Sequence, residues 1–139
     1  RISRDDHATL TILRYDSSGE VTFAGAHEDI IIHRAAAGRC EVIETPGTWV
    51  GGRRDIRAGA VDTRLTLGRG DVMLLYTGGV TEMRNASSEQ FGIDRRCVEF
   101  ERVHDAVVDK IQEHLLMAVG EWGIAEDDVT VLVARYMGV

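Results

Sequence analysis

The acidic run Glu126-Asp127-Asp128 stands directly before an apolar, β-branched stretch at residues 129–136, so a strand would hold its carboxylates in place. Carboxylate oxygens positioned in this way suit hard divalent cations such as Mg²⁺ or Mn²⁺. A solvated acidic turn accounts for the same three residues, and on spacing alone it is the simpler account. A cation site needs more than one carboxylate, and a two-metal hydrolase draws several from distant segments. Glu82 and Asp71 are the other candidates, although Asp71, in Gly68-Arg69-Gly70-Asp71, is expected to close its own turn through side-chain to backbone bonds.

The five histidines, His7, His27, His33, His104 and His114, form no HxH or HExxH pattern. His27 interrupts two strand-like runs in a small-residue turn, where bonding to backbone is expected ahead of a role as a base. His104 and His114 are expected to be exposed on a helix or its edge. Cys40 and Cys97 are far apart and lack CxxC or Cys/His ligand spacing, so they read as two buried thiols in a reducing cytosol. Neither a Ser/His/Asp or Cys/His arrangement nor a GxSxG elbow is evident. Gly68-x-Gly70 lacks the third glycine and following helix of a dinucleotide fingerprint. Arg53-Arg54 could meet an anion but reads as a solvated loop pair, and Asn85-Ala86-Ser87 reads as a chance match to a glycosylation acceptor.

The elements that must position these groups are strands first and a helix later. Residues 8–15 and 20–24, with Asp16-Ser17-Ser18-Gly19 between them, read as a hairpin; residues 29–34 and 40–43 read as a second. Ile30-Ile31-Ile32 predicts a strand buried on both faces. Trp49-Val50 is the one strong anchor of an irregular region at 45–62. Residues 65–67 and 72–76, joined by the Gly-Arg-Gly-Asp turn, read as a third hairpin. Val103, Val107, Ile111, Leu115 and Ala118 recur at helical spacing, and the helix should stop near Gly120 or Gly123. The last strand, 129–136, alternates apolar residues on both faces and is expected to be central. Strand hairpins, then a helix, then a closing strand give an α+β fold with the helix on an antiparallel sheet.

Composition narrows the function classes. The 139 residues suit one domain with one core. A formal net charge of −7, with arginines scattered between acids and Lys110 as the one lysine, argues against a nucleic-acid binder. No apolar run approaches the roughly 20 residues that span a bilayer, and the polar start has no signal-peptide core. These features lead to the expectation of a cytoplasmic protein, and the absence of an initiator Met to that of a piece of a longer chain. From residues alone the outcome is a cytosolic α+β domain with an acidic turn on a central strand.

Several stretches, taken together and in order, carry more. They are Phe23-Ala24-Gly25-Ala26-His27, Gly70-Asp71-Val72-Met73-Leu74-Leu75-Tyr76-Thr77, Val80-Thr81-Glu82-Met83-Arg84-Asn85, Gln90-Phe91-Gly92 and Asp127-Asp128-Val129-Thr130. The ordered set resembles the C-terminal part of SpoIIE/RsbU-type bacterial serine/threonine phosphatases, of the metal-dependent PPM (PP2C-like) superfamily. The resemblance implies an α-β-β-α sandwich, here incomplete because its N-terminal part is absent, in a single domain portion covering 1–139. It implies an Mn²⁺ or Mg²⁺ centre between the sheets, hydrolysis of phosphoserine or phosphothreonine by metal-activated water, and a place in stress-response signalling. The implied partners are a phosphoprotein such as an anti-sigma-factor antagonist and an upstream sensor domain.

By position, Asp127 matches the family's metal-ligating aspartate before the last strand, with Asp128 as its supporting neighbour. Where the family has Asp-Gly, this chain has Gly78-Gly79, so one ligand position is lost at Gly78. The family's early aspartate and Gly-Asp-Val-x-Gly-His-Gly segment would precede Arg1, and Asp5 and Asp6 match a linker instead. A single matched carboxylate cannot hold a bridged metal pair against water. The chain alone is therefore expected to be inactive or impaired, with no catalytic residue assigned. The alternative is a pseudophosphatase module that docks a partner without turnover. Sheet edges left unpaired by the absent part are expected to promote a homodimer.

Overall fold

Three consecutive isoleucines set the layering. The structure, a computed structural model, describes residues 8–51 and 54–139; Asp5, Asp6, His7 and Arg53 lie outside them. Ile30, Ile31 and Ile32 begin strand β3 (Ile30–Arg34), and each is at most 1% exposed. Side chains alternate across a strand. Ile30 and Ile32 therefore enter a core with Val21, Phe23 and Leu65, while Ile31 enters a second with Phe100, Ile111 and Leu115. Burial on both faces is borne out, and each isoleucine contributes about 1.5–3 kcal/mol by leaving water.

The first core lies between two sheets. Strands β1 (Leu10–Tyr15) and β2 (Glu20–Ala26) form the expected hairpin, and β5 (Thr63–Thr66) pairs with the other side of β2. The second sheet runs β4-β3-β6-β7, with β4 (Arg39–Ile43), β6 (Val72–Tyr76) and β7 (Val131–Arg135) all paired antiparallel. The second core lies between that sheet and helices α2 (Gly92–Val103) and α3 (Val108–Trp122). A single turn of helix, α1 (Gly78–Thr81), follows β6.

Three sequence expectations are corrected. First, residues 65–67 and 72–76 do not form a hairpin, because β5 and β6 belong to different sheets. The turn between them steps from one layer to the other. Gly70, at φ +89°, donates its N–H to the Tyr136 carbonyl at 2.8 Å. The buried Asp71 carboxylate accepts from Gly68 N–H at 2.9 Å, as expected of a turn aspartate. It also accepts from Ala35 N–H at 2.8 Å and Arg34 Nη1 at 2.9 Å, tying the step to the β3–β4 turn. Second, the apolar helical periodicity spans two helices. Val107 is extended (ψ 150°) and separates α2 from α3. Arg135 of β7 captures the carbonyls this break leaves free, donating to His104 O at 2.5 Å and Ala106 O at 2.7 Å. The second helix does end before Gly123, whose Cβ, if present, would lie 2.0 Å from the Arg84 carbonyl.

Third, β7 is not central. Among the described residues it pairs only with β6, and Leu132 is 50% exposed. Its open edge lies beside that of β1. Between them the two sheets leave an apolar cleft of about 520 Å³, lined by Leu13, Val21, Met73, Leu132, Ala134 and Tyr136. Trp49 is also 55% exposed and does not anchor a core.

Candidate functional site

The site is built where β6 hands over to α1. Thr77 is extended (ψ 162°) and clamps the acidic turn to the end of β6. Its Oγ1 donates to the Asp128 carbonyl at 2.8 Å and accepts from Thr130 N–H at 2.9 Å, while its own N–H donates to Thr130 O at 3.1 Å. This brings the turn so close that a Cβ at position 79 would lie 2.5 Å from Asp128 O and 3.0 Å from Asp127 O. Contacts under 3 Å to backbone leave no room for a side chain, so Gly79 is required by packing.

Gly78 is different. A Cβ there would lie 3.3 Å from Glu28 Oε1 and 4.0 Å from Glu82 Oε1. Position 78 therefore faces two carboxylates, from the β2–β3 turn and from the end of α1, and supplies no oxygen of its own. Thr81 Oγ1 donates to Glu28 Oε2 at 3.0 Å and fixes that carboxylate. The structure thus unites Gly78, Glu28 and Glu82 with the backbone of Asp127 and Asp128. The Asp127 carboxylate itself accepts from Asp128 N–H at 2.8 Å, capping its own exposed turn. Asp71 belongs to the layer step and takes no part.

Next to Tyr76, at the end of β6, lies a buried cation. Arg96 of α2 is 1% exposed, and its guanidinium carbon sits 3.7 Å from the centroid of the Tyr76 ring. Its Nη2 makes a long bond of 3.4 Å to Gly92 O, whereas Nε and Nη1 have no partner. Burial lowers the Arg96 pKa and pushes the Tyr76 hydroxyl up to about 12. Burial and the Glu44 carboxylate raise Asp29, against the opposing pull of Arg96.

The other candidates fall elsewhere. His27 is exposed, and its Nδ1 lies 2.9 Å from Thr9 Oγ1, so its ring meets a hydroxyl rather than the expected backbone. His104 and His114 are half-buried rather than exposed: His104 stacks on the buried His33 at 4.0 Å, and His114 Nε2 lies 2.8 Å from Glu99 Oε2. Cys40 and Cys97 are half-buried and adjacent in space. Among the described residues no group of three or more His, Cys, Asp or Glu is arranged to hold a metal ion. The described residues by themselves therefore do not fit a two-metal centre. Sequence reasoning passed over Glu28, Thr81 and Arg96. Thr81 had a signal, lying inside the Val80–Asn85 motif, and so did Glu28, directly after the Phe23–His27 motif; Arg96 had none.

The family model described as Stage II sporulation protein E (SpoIIE) matches residues 1–137. The chain belongs to the SpoIIE family. No curated protein sequence matches it. Solved structures agree on the fold. The RsbU and RsbW domains of a Mycobacterium tuberculosis protein superpose with a TM-score of 0.75 at 22% identity, over 94% of this chain and 37% of theirs. The Mn-presoaked phosphatase domain of the cell fate determinant SpoIIE from Bacillus subtilis gives 0.69 at 17%, over 92% of this chain and 56% of its own. RsbX in complex with magnesium gives 0.63 at 13%, over 93% and 56%. This SpoIIE-family chain has the PP2C phosphatase fold in incomplete form, and it spans little more than half, or less, of each of these relatives.

Proposed function

We propose that the chain is the C-terminal portion of a metal-dependent protein serine/threonine phosphatase domain, in a cytoplasmic bacterial signalling protein, and that alone it does not turn over phosphoprotein. Family membership supports the reaction class. A manganese-presoaked relative and another in complex with magnesium support dependence on a divalent cation in the complete domain. The observation that carries the lack of turnover is Gly78, a carboxylate-free position between Glu28 and Glu82. Asp127 remains the proposed metal ligand, with Asp128 beside it. The substrate would be a phosphoprotein of a partner-switching pathway, such as an anti-sigma-factor antagonist; a relative that carries RsbU and RsbW domains supports that class.

Gly78 also favours a second reading, a pseudophosphatase module that docks its partner without hydrolysis. The test is phosphate release from a phosphoserine protein by this chain with Mn²⁺. Release no faster than the buffer control is expected; Mn²⁺-dependent release lost in Asp127→Ala would overturn the proposal. Gly78→Asp in the full-length protein separates the two readings. A gain of hydrolysis supports the enzyme, and retained phosphoprotein binding without hydrolysis supports the docking module.

A further inference from the structure

Cys40 and Cys97 stand 57 residues apart in sequence, on opposite sides of the contact between the edge strand β4 and helix α2. The fold brings them together. Cys40 Sγ lies 3.8 Å from the Cys97 carbonyl oxygen, and Cys40 N–H donates to Glu101 Oε1, one helical turn beyond Cys97, at 2.7 Å. Both thiols pack on the helix-side core, yet both are partly exposed and within reach of a small oxidant.

We propose that Cys40 and Cys97 form a peroxide-responsive dithiol site that closes to a disulfide between β4 and α2. The two sulfurs are chemically unequal. The Cys40 hydrogen bond lowers the Cys97 pKa, assisted by the Arg96 guanidinium and opposed by burial, Glu101 and Asp94. Hydrogen bonding to Cys97, burial and Glu101 raise Cys40. Reactive cysteines are those with thiolate character and access. The Glu101 carboxylate, held against the Cys40 amide at 2.7 Å, disfavours negative charge at Cys40, so Cys97 attacks first and Cys40 resolves.

The Cys97 thiolate attacks one peroxide oxygen; the O–O bond breaks, Cys97 becomes a sulfenic acid, and the departing hydroxide takes a proton to leave as water. Cys40 then attacks the Cys97 sulfur, an S–S bond forms as the S–O bond breaks, and the Cys40 proton leaves with the hydroxyl as a second water. Two thiols are oxidised to a disulfide and one peroxide is reduced to two waters. A dithiol reductant reverses the step by exchange. Closure ties β4, which among the described residues pairs only with β3, to the helix that carries Arg96.

The experiment treats the folded chain with hydrogen peroxide, traps remaining thiols with an alkylating agent and measures intact mass and linked peptides. Loss of two hydrogens, no alkylation and a Cys40–Cys97 linked peptide are expected, all reversed by dithiothreitol. Cys40→Ser should halt at a dimedone-reactive Cys97. Because serine variants could fold poorly, the wild-type chain is also oxidised in urea. Folded closure should be at least about tenfold faster, since a fixed geometry replaces a random encounter. Independent alkylation of both cysteines after peroxide, linkage only between chains, or equal rates with and without urea would overturn the proposal.

Discussion

Gly79→Ala is the substitution the site geometry constrains most tightly. The new methyl would lie 2.5 Å from Asp128 O and 3.0 Å from Asp127 O, both backbone atoms that cannot rotate away. Forcing an extra carbon into packed structure costs about 1–3 kcal/mol. If the acidic turn retreats instead, the bond from Thr77 Oγ1 to Asp128 O is lost, at about 0.5–1.5 kcal/mol. Whichever response is cheaper sets the loss, expected at about 1–3 kcal/mol. Gly78→Ala is the matched control. Its methyl meets only the far ends of two flexible side chains, Glu28 at 3.3 Å and Glu82 at 3.9 Å, and alanine gains about 0.5–1 kcal/mol over glycine in a helix. Urea unfolding of both variants beside the wild type gives the comparison, with Gly78→Ala within about 0.5 kcal/mol of wild type or more stable. Equal costs for the two substitutions would refute the placement of the acidic turn against Gly79.

Two further outcomes follow from the same structure. Burial alone would raise the Asp71 carboxyl, but Arg34 and the Ala35 and Gly68 amides outweigh it and hold it below the ordinary 3.8. Its stabilisation is therefore present above that value and lost as pH falls through the lower folded value; Asp71→Asn should lose about 2–3 kcal/mol near neutrality and flatten the acid limb of a pH–stability curve, and an unchanged limb would contradict this. The open edge of β7, with Leu132 half-exposed, should pair chains at micromolar concentration, and Leu132→Lys should return a monomer in sedimentation; a monomeric wild type would count against it.

Local pattern carried the layers that depend on local pattern. Ile30-Ile31-Ile32 announced a strand with two buried faces because alternation leaves no other place for three isoleucines. The first two hairpins were legible for the same reason. The Gly68–Asp71 step was not, because a glycine-rich turn looks alike whether it closes a hairpin or crosses between sheets; the partners that decide it, Ala35, Arg34 and Tyr136, are distant in sequence. The helix break was hidden because Val103 and Val107 keep the apolar period across it. The apolar character of residues 129–136 reflects two packed faces, which an edge strand can also have. Motif matching singled out Gly78 and Asp127 as candidates, whereas Arg96 and the Cys40–Cys97 contact arise from packing of α2 on the sheet.

The most direct measurement is Mn²⁺ titration by calorimetry of the full-length protein and its Gly78→Asp variant. A carboxylate at 78 would join those of Glu28 and Glu82, and affinity rises with the number of charged oxygen ligands. Binding at least about tenfold tighter is expected in the variant, equivalent to about 1.4 kcal/mol. Identical affinity in the two proteins would contradict it, because Gly78 would then not be the missing ligand position.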